Sequence, residues 1–174
     1  PSLNPNTLDS FLAHRIHHPR PDTGAGTQIL PGAAVPTAHA IRSLVVSIKE
    51  AAMTKLMRAQ IGRGVQGIDT TVKSAQGIWR AFAPQYAMVM GHKAGTVSDA
   101  QYMAHYAPIL YRVPAVVWDT LAEHETQTLL CYCRDGWFCH THLIIAYAVQ
   151  SWPNLFVDGR NPTQIPPGCL AHQP

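Results

Sequence analysis

Charge is scarce in this sequence. Asp, Glu, Lys and Arg make up only 13% of its 174 residues, against about a quarter in an ordinary globular domain. With 47% apolar residues, the composition excludes a disordered chain and predicts a compact one with a face prone to self-association. Basic runs are missing too. Thirteen Lys and Arg oppose ten Asp and Glu. A formal net charge of +3 is too small to indicate a nucleic-acid partner. No stretch of 18 apolar residues occurs, so no membrane span is expected. The first residues lack the basic-then-apolar layout of a secretory signal. No Walker motif or G-x-G-x-x-G supports a dinucleotide site. Cysteine is sparse and uneven: three of the four lie together and Cys169 stands apart, unlike a secreted disulfide framework. On one strand face, Cys131 and Cys133 would stand about 6.5 Å apart, poor geometry for a mutual disulfide. A cytoplasmic, reducing setting is the simplest expectation.

What is present is concentrated in one run, Cys131-Tyr132-Cys133-Arg134-Asp135-Gly136-Trp137-Phe138-Cys139-His140-Thr141-His142. It holds three of the four cysteines and two of the ten histidines. The run begins apolar, breaks at Asp135-Gly136 and resumes an apolar pattern at Leu143. That predicts a strand, a short loop and a helix, with polar chemistry at the junction. Open α/β sheets place ligands at such junctions.

Along the chain, residues 1–36 are rich in Pro, Gly, Asn and Thr and read as an irregular arm, with surface histidines His14, His17 and His18. Apolar residues recur at helical spacing from Thr37 to Met57. Gly62, Gly64 and Gly67 punctuate a loop between strand candidates Arg58–Ile61 and Ile68–Val72. Pro84 suits the first turn of a helix over Gln85 to His92. Ser98 suits the N-cap of a helix to about Tyr111, with Tyr102 and Tyr106 on one face. Pro114 starts a further helix carrying Trp118. A strand from Thr126, a helix over Cys139 to Gln150 and an edge strand over Leu155 to Val157 follow. These elements predict an α/β fold, a small parallel or mixed sheet flanked by helices. One domain over 37–160 lies between the N-terminal arm 1–36 and an irregular tail 161–174.

The Cys/His run admits three chemistries. A cysteine at a helix N-terminus has its thiolate favoured by unpaired N–H groups and the helix dipole. Cys139 stands there, Cys131 and Cys133 face the same space, and His140 or His142 would move protons. Zinc is the second reading, but the spacing is not a standard one. Adjacent Cys139 and His140 would diverge by about 100° on a helix, so no stoichiometric metal and no cofactor is expected. The third reading is a buried structural corner. Catalytic candidates are Cys131, Cys133, Cys139, His140 and His142. Substrate-binding candidates are Lys73, Lys93 and Trp137, with solvated lysines and a core tryptophan as the plainer alternatives.

Three segments carry a resemblance. "TLLCYCRDGWFCHTHLIIAYA" (Thr128–Ala148), "IDTTVKS" (Ile68–Ser74) and "FAPQYAMVMGHKAGTVSDAQYMAHY" (Phe82–Tyr106) together resemble the YeaO-like family, also called domain of unknown function 488. The similarity spans roughly Met57 to Val157. It implies a compact α/β domain with a central parallel-type sheet and a cysteine-histidine corner as its site. By position, Cys131, Cys139 and His140 match the family signature, and Cys133 matches the subset with a second cysteine. Thr141 stands where arginine is common, which removes a phosphate-clamping arginine from that position.

The functional expectation is an enzyme acting with its Cys/His site on a small anionic substrate, nucleotides and base derivatives among them. The alternative is a non-catalytic binding or assembly module whose corner is structural or zinc-binding. Either way a homo-oligomer is expected.

Overall fold

The computed structural model describes residues 53–166 and Cys169. The arm over residues 1–36 and most of the helix expected from Thr37 lie outside the described residues. Strand β1 (Thr54–Gln60) opens the fold, and β2 (Ile68–Asp69) follows it. A 3₁₀ turn (Gly77–Phe82) leads to helices α1 (Tyr86–Lys93), α2 (Asp99–Tyr111) and α3 (Ala115–Leu121). Strand β3 (Thr126–Cys131), helix α4 (His140–Ser151), strand β4 (Phe156–Asp158) and a second 3₁₀ turn (Pro162–Gln164) complete it.

The sheet has the order β2-β3-β1-β4 and every pair is parallel. Parallel strands need crossover connections; helices supply those from β2 to β3 and from β3 to β4, and a loop joins β1 to β2. Register runs from Lys55↔Thr126 to Gln60↔Cys131, so β1 and β3 end side by side. Leu56 and Leu129 are fully buried on these central strands. Below them pack Leu143, Ile144 and Ile145 of α4 and the aromatic set Phe82, Tyr106, Trp118, Tyr147 and Phe156. No helix among the described residues is long and apolar enough to cross a membrane.

The elements match the sequence pattern in type from Ile68 onward, with one correction before it. The helical spacing over Thr37–Met57 overruns its end, because residues 54–57 belong to β1. Tertiary pairing overrides periodicity there: Thr54 N–H donates to the Leu155 carbonyl and Lys55 N–H to the Glu125 carbonyl, both at 2.8 Å. The buried Thr54 hydroxyl lies 2.7 Å from the His124 carbonyl. Gly62, Gly64 and Gly67 have G-x-G-x-x-G spacing, yet their loop joins β1 to β2 with no helix after it. A dinucleotide fingerprint needs that helix N-terminus for the pyrophosphate, so the glycines serve geometry instead. A Cβ on Gly67 would stand 2.3 Å from the Thr128 carbonyl oxygen of β3.

Helix α2 starts with a full capping box. Ser98 Oγ accepts from Gln101 N–H at 3.3 Å, and Gln101 Oε1 accepts from Ser98 N–H at 2.9 Å. Ser98→Ala is expected to lower stability by about 1 kcal/mol. Urea unfolding checks this, and an unchanged midpoint would mean that water replaces the cap at no cost.

Candidate functional site

The carboxyl ends of β2 and β3 and the start of α4 meet at one edge of the sheet. In open parallel sheets this edge is where strand-end loops leave a crevice. A cavity of about 300 Å³ lies there. Its floor holds Cys131, Cys133, Cys139 and His140, its walls include Val89, Met90, Tyr102 and Phe138, and Lys73 and Lys93 stand at its rim.

Local backbone geometry explains why the four floor residues converge. Strand β3 ends at Cys131 and the chain turns there. The Sγ atoms of Cys131 and Cys133 are therefore 3.5 Å apart, nearer than two residues of an unbroken strand allow. Gly136 takes φ +76°, which brings the loop back. Cys139 is the N-cap of α4 with extended backbone, φ −157° and ψ 147°. It stands outside the helical spiral, so the expected divergence of Cys139 and His140 does not arise. Their Sγ and Nδ1 atoms lie 3.6 Å apart, and Nδ1 lies 3.7 Å from Cys131 Sγ. The three sulfurs all fall within 4.8 Å of one another.

His140 is buried and anchored from its other nitrogen. Nε2 stands 3.0 Å from the Thr70 carbonyl and 2.9 Å from the Thr70 hydroxyl. A carbonyl only accepts, so Nε2 carries the proton and Nδ1 presents its lone pair to the sulfurs. Burial pushes the imidazole down to about 4, so it is neutral at physiological pH. Among the thiols, burial works against ionising Cys139. Hydrogen bonds from Cys131, Cys133 and Thr141 outweigh it and hold Cys139 well below an ordinary thiol. The Thr141 hydroxyl donates to Cys139 Sγ at 3.3 Å. The Cys131 thiol is pushed up, first by its hydrogen bond to Cys133 and then by Cys139. Of the three sulfurs, the helix-capping one is thus the most favoured to carry negative charge, and the helix N-terminus adds to that preference. Chemically, the cluster can present a sulfur nucleophile or hold a thiophilic ion.

The other expected site residues separate into two groups. Lys73 and Lys93 line the cavity, whereas Trp137 is 65% exposed and does not. His142 is fully buried away from the sulfurs: its Nδ1 accepts from Arg160 at 3.0 Å, and Arg160 is forked onto Asp158. Burial, then the Arg160 charge, pushes His142 down to about 3.

Three further residues belong to the site. Arg58, whose side chain is only 4% exposed, donates to the Cys133 carbonyl and to Asp135. A cation inside a strand candidate is an available signal for it. Thr70 holds His140 through contacts invisible along the chain, whereas Phe138, an aromatic within the Cys/His run and so open to a stacking reading, packs at 5.0 Å on the His92 ring and 5.3 Å on Tyr102.

Asp69 shapes the end of β2. Its Oδ1 accepts from Thr71 N–H at 2.8 Å. Partial burial raises its carboxyl, but hydrogen bonds from Ser74 and Thr71 outweigh that and leave it below the usual value of 3.8. A depressed folded pKa contributes stability above the unfolded value, and that contribution disappears as pH falls through the folded one. Asp69→Asn is therefore expected to be less stable than the parent at neutral pH, with the gap closing as pH falls below about 4 and through the depressed folded value. Urea titrations across that range test the sign; a gap that widens in acid would be the wrong result.

The family model described as the active DUF488-N3 subclade matches residues 44–151, well over half the chain. No curated protein and no solved structure matches.

Proposed function

This chain belongs to the active DUF488-N3 subclade, and on that premise we propose that it is an enzyme acting on a small, flat, anionic substrate, a nucleotide or base derivative. One observation carries the reading: three thiols and a neutral imidazole form the floor of a cavity whose rim bears Lys73 and Lys93. Val89, Met90, Tyr86, Tyr102 and Phe138 supply apolar and aromatic wall for a planar body. The two lysines supply charge for a phosphate or carboxylate. Reaction takes place at the sulfur-imidazole floor, which the substrate covers from solvent. A reducing, cytoplasmic setting fits four free thiols, and self-association of the chain belongs to the same proposal.

The test is calorimetric titration of the full chain with a panel of nucleoside 5′-monophosphates, followed by chromatography of the incubated nucleotides. At least one is expected to bind, and Lys73→Ala with Lys93→Ala to weaken it about tenfold or more. Cys139→Ala is expected to abolish turnover. The proposal fails if no member of the panel binds, or if binding ignores both lysine substitutions.

A further inference from the structure

We infer that Cys131, Cys133, Cys139 and His140 form a zinc site, with the three Sγ atoms and His140 Nδ1 as its ligand atoms. Zinc–sulfur bonds of about 2.3 Å in a tetrahedron put sulfurs about 3.8 Å apart. The observed spacings bracket that value. Cys131 and Cys133 sulfurs are 3.5 Å apart, Nδ1 lies 3.6 and 3.7 Å from two sulfurs, and all three sulfurs are within 4.8 Å. Shifts of about an ångström or less bring the three sulfurs onto one ion, and Nδ1 stands beside two of them as the fourth donor.

The surroundings match a metal site as well as the donors do. A histidine ligand usually gives its other N–H to a carbonyl or carboxylate, which fixes its tautomer and aims its lone pair. His140 does this through Nε2 and the Thr70 carbonyl. A zinc ion with three thiolates and a neutral imidazole carries a net charge of −1. The buried Arg58 guanidinium, also paired with Asp135, is bonded to the carbonyl of one proposed ligand, Cys133. Cys133 is half-buried and lines the cavity, so an ion has a route in. A merely structural corner requires neither the aimed Nδ1 nor the open side. Three thiols without an ion have only weak sulfur hydrogen bonds to satisfy one another. Soft thiolate ligands with one imidazole in a tetrahedral set favour zinc over harder ions. On binding, Zn²⁺ takes the sulfur lone pairs and the remaining thiol protons leave to solvent, with no redox change.

This inference shares its address with the proposed activity but does not depend on turnover. Zinc content and nucleotide binding are separate measurements, so either idea can fail alone. The experiment loads the full chain with a slight excess of zinc chloride, desalts it and measures metal by elemental mass spectrometry. About one zinc per chain is expected. Cys133→Ser and Cys139→Ser are expected to weaken zinc binding by about tenfold or more in competition with a chelator. His142→Ala and Cys169→Ser are expected to keep the full stoichiometry. Cobalt(II) chloride added to the unsubstituted chain guards against variants that fail to fold, and a tetrahedral thiolate spectrum is expected. Zinc below about a tenth of an equivalent, an octahedral cobalt spectrum, zinc undiminished by both serine substitutions, or a different metal at full occupancy would each overturn the assignment.

Discussion

Arg160→Met is expected to lower folding stability by about 3–5 kcal/mol, because it strands a buried carboxylate. The Arg160 side chain is 1% exposed and Asp158 only 13%. Its Nε and one terminal nitrogen grip Asp158, and the other terminal nitrogen reaches His142 Nδ1 at 3.0 Å and the His142 carbonyl at 3.2 Å. Asp158 ends β4, whose register against β1 is Leu56↔Asp158. Methionine fills the space of the stem but leaves the carboxylate with only the backbone N–H of residue 160, at 3.0 Å, and removes the guanidinium from the His142 ring nitrogen and carbonyl. Pairing it with Asp158→Asn removes the stranded charge, so the double variant is expected to recover part of the loss. Urea unfolding of the two singles and the double measures this. A single-variant loss below about 1 kcal/mol would show that the pair behaves like an exposed salt bridge.

Trp118→Ala is expected to cost a similar amount, about 3–5 kcal/mol, by opening a cavity in the core. Trp118 sits at the centre of the aromatic set. Its ring lies 4.8 Å from Phe82, 5.0 Å from Trp152 and 5.5 Å from Tyr147 between centroids. Those residues come from the first 3₁₀ turn, from α4 and from the residue that follows it, so the ring joins elements distant in sequence. Its Nε1–H is buried with no partner among the described residues. Trp118→Phe therefore sacrifices volume but no hydrogen bond, and is expected to cost only about 1–2 kcal/mol. Thermal and urea unfolding compare the two. Equal losses would mean that the indole nitrogen is satisfied in solution, by water for instance.

Much of this fold is legible along the chain because its signals are local. Ser98 followed by Gln101 forms the capping box it implies. The apolar run ending at Cys131 is the strand, and the apolar pattern resuming at Leu143 is the helix. The exception, the overrun into β1, comes from a segment that lies between β3 and β4. A strand paired on both sides takes its conformation from neighbours about 70 and 100 residues away, and its own apolar spacing is a weaker influence.

The candidate site is legible as an address but not as an arrangement. Cys131, Cys133, Cys139 and His140 lie within one short run of sequence and meet in space. The apparent conflict between Cys139 and His140 came from treating both as helical, whereas an N-cap residue has extended backbone. His142 illustrates the complementary case. Two residues along a helix is a rotation of about 200°, so His140 and His142 face opposite ways, one to the sulfurs and one to Arg160.

The sequence alone determined the α/β class, the type of the elements from Ile68 onward and the segment that carries the chemistry, since caps, periodicity and glycine turns act over a few residues; it left the sheet parallel or mixed, and strand pairing made it parallel. Tertiary structure decided which groups share a site. Arg58 and Thr70 reach the Cys/His cluster because β1, β2 and β3 end at the same edge of one parallel sheet, and Lys73 and Lys93 line the cavity there. Thr70 holds the His140 ring and Arg58 places a buried cation at Cys133 across 70 and 75 residues of chain, and contacts of that span leave no periodic trace in the sequence because only the sheet register brings their ends together.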